Sequence, residues 1–130
     1  MSDALAIDVR RERGYAIVTA VGEIDISTVT GLRKRLFEAA ASGSPLVIDL
    51  DQVTFIDSVG LATLVSAAKR VAAHGSGLQV ACAPPTIREL LRLTGLDGRI
   101  PLASTLDEAL QARAAATPAN MPFQESGPPA

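Results

Sequence analysis

The chain has no tryptophan, one tyrosine and three phenylalanines in 130 residues, so aromatics make up only 3%. Stacking sites for bases and sugars are built on aromatic platforms, and this chain has few to offer. Its core must come from Val, Ile, Leu and Ala, within a hydrophobic fraction of 48%. Excess basic charge is also missing. The formal net charge is −2, and no basic tract is denser than "RRER" at 10–13. Nucleic-acid binders carry a basic face, so no nucleic-acid partner is expected. A single cysteine, Cys82, rules out an intrachain disulfide. Long apolar runs are absent too. The longest helical one, 60–73, is interrupted by Lys69 and Arg70 and falls short of the roughly 18–20 apolar residues that cross a bilayer. The start, "MSDALAIDV", lacks the basic and then apolar regions of a secretory signal. The expectation is a cytoplasmic protein without membrane insertion.

The length favours one domain. "ALAIDV" at 4–9 and "YAIVTAVG" at 15–22 are short, alternating and β-branched, and the link ending in Gly14 reads as a hairpin turn. Val29, Leu32, Leu36, Phe37 and Ala40 then recur at helical spacing, after a candidate cap at Ser27 or Thr28 and before Gly43. "PLVIDL" lacks clean alternation, as a strand covered on both faces does. A helix is predicted over 58–73 with Leu61, Leu64, Val65, Ala68 and Ala72 buried, ended by "GSG" at 75–77. "LQVACA" reads as a strand, and "PPTIRELLRLTG" as a helix opened by proline that buries Ile87, Leu90 and Leu91. "RIPLA" reads as an edge strand and "TLDEALQAR" as a last amphipathic helix. The order β-β-α-β-α-β-α-β-α describes an α/β fold: an opening hairpin, then right-handed crossovers between parallel neighbours. Residues 114–130, rich in Pro, Ala, Gly and Ser, lack periodic apolar spacing and are expected to form a flexible tail behind a domain at 4–113.

Few residues are arranged for catalysis. The single histidine, His74, sits at a predicted helix end without a nucleophile beside it. Cys82 reads as a small buried hydrophobe on the side of Leu78 and Val80. Asp49 and Asp51 could face one way, as solvated acids near a strand end. No His, Cys and carboxylate set has zinc spacing, and the glycines at 75–77 follow a helix rather than a strand. The expectation is a non-enzyme that needs no metal or cofactor of its own.

One break stands out. In "VTFIDSVGLATL" an apolar run is cut by Asp57 and Ser58 and restarts at once. Capping the following helix needs one of these two polar residues, worth about 1 kcal/mol. The same position also suits a phosphate, because free N–H groups and the helix dipole stabilise a dianion there. Gly60 would ease approach to it, and Asp57 would repel it.

That stretch resembles the signature of the STAS domain family, in particular of bacterial anti-sigma factor antagonists. "GEID" at 22–25 and "LQVACAPPTIRELLRLTGLDGRI" at 78–100 resemble its other motifs, so the likeness covers about residues 4–113. The resemblance implies a small mixed β-sheet with about four helices packed largely on one side. It implies partner switching: the unphosphorylated form binds an anti-sigma factor with a histidine-kinase-like ATPase fold and frees the sigma factor. That serine kinase, supplying its own ATP and Mg²⁺, phosphorylates the serine after the motif aspartate, Ser58 here, and a PP2C-type phosphatase resets it. Asp25 and Ile26 in the "EIDIS" turn, with Asp57, Val59 and Gly60, are the expected partner-binding residues. Val59 departs from the second Ser or Thr of many relatives and removes an alternative acceptor. The alternative is a STAS subunit of a lipid-trafficking, transport or stress-signalling complex. A phosphorelay receiver is disfavoured, because Lys34 and Lys69 both fall on predicted helices.

Overall fold

A computed structural model of the chain describes residues 5–115. Five strands form one sheet in the order β1-β2-β3-β4-β5. Strands β1 (Leu5–Glu12) and β2 (Tyr15–Ile24) make the expected antiparallel hairpin. β3 (Leu46–Ile56), β4 (Leu78–Ala81) and β5 (Leu102–Ala103) then add in parallel. The hairpin closes through Arg13 and Gly14, both at positive φ.

Helices α1 (Val29–Ala41), α2 (Ser58–Ala73) and α3 (Pro85–Leu93) cover one face of the sheet. Val29, Leu32 and Leu36 of α1, Leu61, Leu64 and Val71 of α2, and Ile87 and Leu91 of α3 meet Val18, Ile48 and Val80 in one aliphatic core. The stripe of α2 is rotated from expectation. Thr63, Ala67 and Val71 are buried, whereas Val65 and Ala72 are half-buried, and α1 packs against α2. The last helix, α4 (Leu106–Ala115), packs on the opposite face, where Ala109 and Leu110 cover Tyr15, Ile17 and Val47. Three of the four helices therefore share a side.

Two departures have local causes. β3 runs through to Ile56 instead of stopping near Leu50, because Val53 and Ile56 pair on with Gly22 and Ile24 of β2 across two register shifts. α4 continues two residues into the stretch expected to be tail, since Ala114 and Ala115 are the strongest of helix formers. The rest of the expected tail lies outside the described residues.

Candidate functional site

The break at Asp57 and Ser58 lies at the C-terminal end of β3, where two helix connections meet. Asp57 donates its backbone N–H to Ile24 O at 3.1 Å, tying the start of α2 to the end of β2. That bond sets the residue before the β2–α1 turn, which carries Asp25 and Ile26, against the residue before Ser58.

The two polar residues divide the work. Asp57 is the N-cap, with extended backbone (φ −103°, ψ −174°), and its Oδ1 accepts from the N–H of Gly60 at 2.9 Å. Ser58 is the first helical residue, exposed, and its hydroxyl makes no hydrogen bond with any described residue. The neighbouring threonines differ. Thr63 is buried and donates to Val59 O at 3.0 Å, while Thr54 lies on β3 within 3.4 Å of Gly22 O. Ser58 is thus the hydroxyl at the helix start that is both accessible and unengaged. Val59 beside it is half-buried. A phosphate on Ser58 would meet the positive end of the α2 dipole and the negative Asp57 carboxylate together.

Gly60 departs from its expected role. It is buried, and a Cβ built on it would stand 2.7 Å from Ile24 Cγ2 and 2.7 Å from Ile56 Cγ1. Its missing side chain admits β2 and β3 against α2, and so fixes where the helix begins. It presents no side chain to a partner and acts on Ser58 by holding the helix in place.

The β2–α1 turn is organised by a carboxylate. Asp25 Oδ1 accepts from the backbone N–H of Ser27 at 2.9 Å and from its hydroxyl at 2.7 Å. Thr28 is the N-cap of α1 by position, yet it makes no side-chain cap bond. Its hydroxyl donates to Glu23 O at 2.9 Å and accepts from Asp25 N–H at 3.0 Å, closing the turn on itself. Ile26 is left 74% exposed at the tip. The Ser27 hydroxyl foremost, against an opposing desolvation, and then the N–H groups of Ser27 and Thr28 hold the Asp25 carboxyl below its ordinary value of 3.8. A depressed folded pKa means this support is whole above the ordinary value and fades as pH falls through the lower, folded one. In an NMR titration, the Ser27 amide is expected to move with a midpoint below 3.8; a midpoint at or above it would remove the turn's carboxylate clamp.

The other candidates lie apart. His74 is the C-cap of α2, its Nδ1 2.9 Å from Arg70 O, at the far end of that helix from Ser58. Cys82 follows β4 with φ +62°. That left-handed turn breaks the alternation, so the thiol leaves the side of Leu78 and Val80 and packs near Ala103 and Leu106. Burial, then the negative charges of Asp49 and Asp51, push its pKa up, which makes it a poor nucleophile. Asp49 and Asp51 are both near enough for their charges to act on Cys82, and Asp49 Oδ1 accepts from the Asp51 N–H at 3.0 Å. Among the described residues, no three His, Cys, Asp or Glu side chains gather as a metal site, and no helix is long and apolar enough to cross a membrane.

Comparison with known proteins agrees with this fold. The anti-sigma-F factor antagonist RsfB of Mycobacterium tuberculosis is 35% identical over 109 residues, 83% of this chain and 88% of that protein. The crystal structure of an anti-sigma factor antagonist from Mycobacterium paratuberculosis superposes with a TM-score of 0.79 at 36% identity, covering 86% of this chain and 96% of that one. Human sulfate anion transporter 1 is 32% identical over 114 residues, but these are only 16% of its length. The family model for the STAS domain matches residues 6–109. With a hairpin-led five-stranded sheet, an Asp-Ser helix start and a match across most of its length, this chain belongs to the STAS domain family.

Proposed function

We propose that the chain is an anti-sigma factor antagonist that works by partner switching, with Ser58 as its phosphoacceptor. The observation that carries this reading is the division of labour at the start of α2. Asp57 satisfies the helix, which leaves the Ser58 hydroxyl exposed and unengaged. Unphosphorylated, the protein docks an anti-sigma factor through the Ser58 edge and the turn carrying Asp25 and Ile26, and the sigma factor is freed. The partner has a histidine-kinase-like ATPase fold and brings ATP and Mg²⁺. The Ser58 oxygen attacks the γ-phosphorus, ADP leaves, and the hydroxyl proton passes to a base on the partner. A PP2C-type phosphatase hydrolyses the ester and restores the binding form.

The names of the relatives that this chain covers nearly end to end support the same reading. The transporter match supports kinship at the level of the domain, since the chain accounts for so little of that protein. The test is to recover partners with wild-type and Ser58→Ala protein, identify them by mass spectrometry, and incubate the wild type with the recovered kinase and ATP. Phosphate is expected on Ser58. Phosphate on Thr54, or none on any residue, would overturn the assignment.

A further inference from the structure

Beyond the Ser58 edge, the described residues cover only part of the opposite face of the sheet. α4 seals Tyr15, Ile17 and Val47 near the start of the parallel strands. Toward their C-terminal end, Phe55 is 48% and Val21 38% exposed. In a chain so poor in aromatics, an exposed phenylalanine three residues before the phosphoacceptor needs a cause.

The cause is a bulge. β2 and β3 pair Gly22 with Val53 and next Glu23 with Phe55, so Thr54 is an extra residue in β3. Strict alternation from buried Val53 would turn Phe55 into the core. The extra residue reverses this, sending Ile56 inward against Gly60 and Phe55 outward. Bulges are found beside functional sites, where they re-aim a side chain. Ala6 pairs with Val21 across β1 and extends the apolar stripe.

Its surroundings have one sign. Asp8, Glu23 and Asp49 flank the stripe on the same face, and none is in an ion pair among the described residues. Arg10, the basic residue of β1 on that face, reaches Glu12 at 3.7 Å. The complement is a basic surface with an apolar recess. Reach identifies whose surface it is. A standard interface covers about 800 Å² per partner, equivalent to a disc of roughly 16 Å radius. Three peptide spans place the Cα atoms of Phe55 and Ser58 at most about 11 Å apart. A footprint centred on Ser58 therefore reaches Phe55.

We infer that the partner kinase docks over the edge of the sheet, taking Phe55 and Val21 into an apolar recess ringed by basic residues, so that Phe55 is an anchor of the complex. This rests on the partner-switching reading and extends its interface to a second face. Exposed aromatics buried at the middle of an interface carry much of its affinity.

The experiment measures affinity for the kinase recovered above, in a Ser58→Ala background that cannot be phosphorylated. Phe55→Ala is expected to weaken binding at least tenfold, and reversing the charge opposite it with Glu23→Lys to weaken it and flatten its salt dependence. Unfolding of both variants is measured beside the parent's, because Phe55 is 48% exposed and its truncation also removes some packing. Binding by the parent with equal affinity in both variants overturns the docking face and leaves partner switching standing. Absence of binding even by wild type and Ser58→Ala removes partner switching and the docking face together. Two further results also overturn the inference. One is a self-associated wild type that Phe55→Ala dissociates without changing kinase affinity, which assigns the face to a second copy. The other is affinity that rises on deleting residues 116–130 yet ignores Phe55→Ala, which assigns it to the chain's own C-terminal segment.

Discussion

Gly60→Ala is expected to lower the free energy of unfolding by roughly 1–3 kcal/mol, the usual cost of an extra methyl group in a packed core. Helix propensity alone forecasts the opposite sign, since alanine is favoured over glycine by about 0.8–1 kcal/mol inside a helix. The contacts decide between them. The new Cβ would stand 2.7 Å from carbons of both Ile24 and Ile56, and neither can give way easily, because both are buried beneath the same helix. Urea denaturation measures the sign directly. A stabilised variant would mean that β2 and β3 can withdraw from α2. The start of the helix would shift as well, so Gly60→Ala is also expected to slow phosphorylation of Ser58.

Ser58→Asp is expected to weaken binding to the anti-sigma partner about thirtyfold, whereas Ser58→Ala binds as wild type does and cannot be switched off. A phosphate adds about −1.5 to −2 charge at an edge that docking must strip of water. Disrupting one central interface position costs about 2 kcal/mol or more, which is thirtyfold in affinity. The fold should be nearly indifferent. The α2 dipole favours the added charge, Asp57 opposes it, and the net change in stability stays within about 1 kcal/mol. Isothermal titration of both variants with the partner, beside their thermal unfolding, separates the two effects. Equal affinity of Ser58→Asp and wild type would leave the Asp-Ser break as a cap alone.

Much of this architecture was legible in the residues. The span of α2 follows from apolar spacing bounded by Asp57 and the glycines at 75–77, and its observed range is Ser58–Ala73. The order of elements follows from the same reading. What alternation could not reveal lies where one residue breaks the period. The extra Thr54 turns Phe55 outward, and left-handed Cys82 changes faces. Neither has a local signal, because each depends on how the neighbouring strand or helix is engaged. The side taken by α4 was hidden for a similar reason: an amphipathic helix declares an apolar stripe, not the sheet face that will receive it. Gly60 looked like open access and is a contact. A missing side chain reads alike in both cases until the opposing Ile24 and Ile56 are in place. The cap was readable as a choice between two polar residues, and the backbone bond of Gly60 settles it on Asp57.

The unbroken strand order has a consequence for how the protein emerges from a ribosome. Each new strand finds its neighbour already made, since sheet order equals chain order throughout. No early strand must wait for a distant late one, so the sheet can grow vectorially during synthesis. The exception is the second face. Tyr15, Ile17 and Val47 are translated long before Ala109 and Leu110, the residues that cover them. A nascent chain halted before α4 holds a nearly complete sheet with one adhesive side, the form most in need of a chaperone.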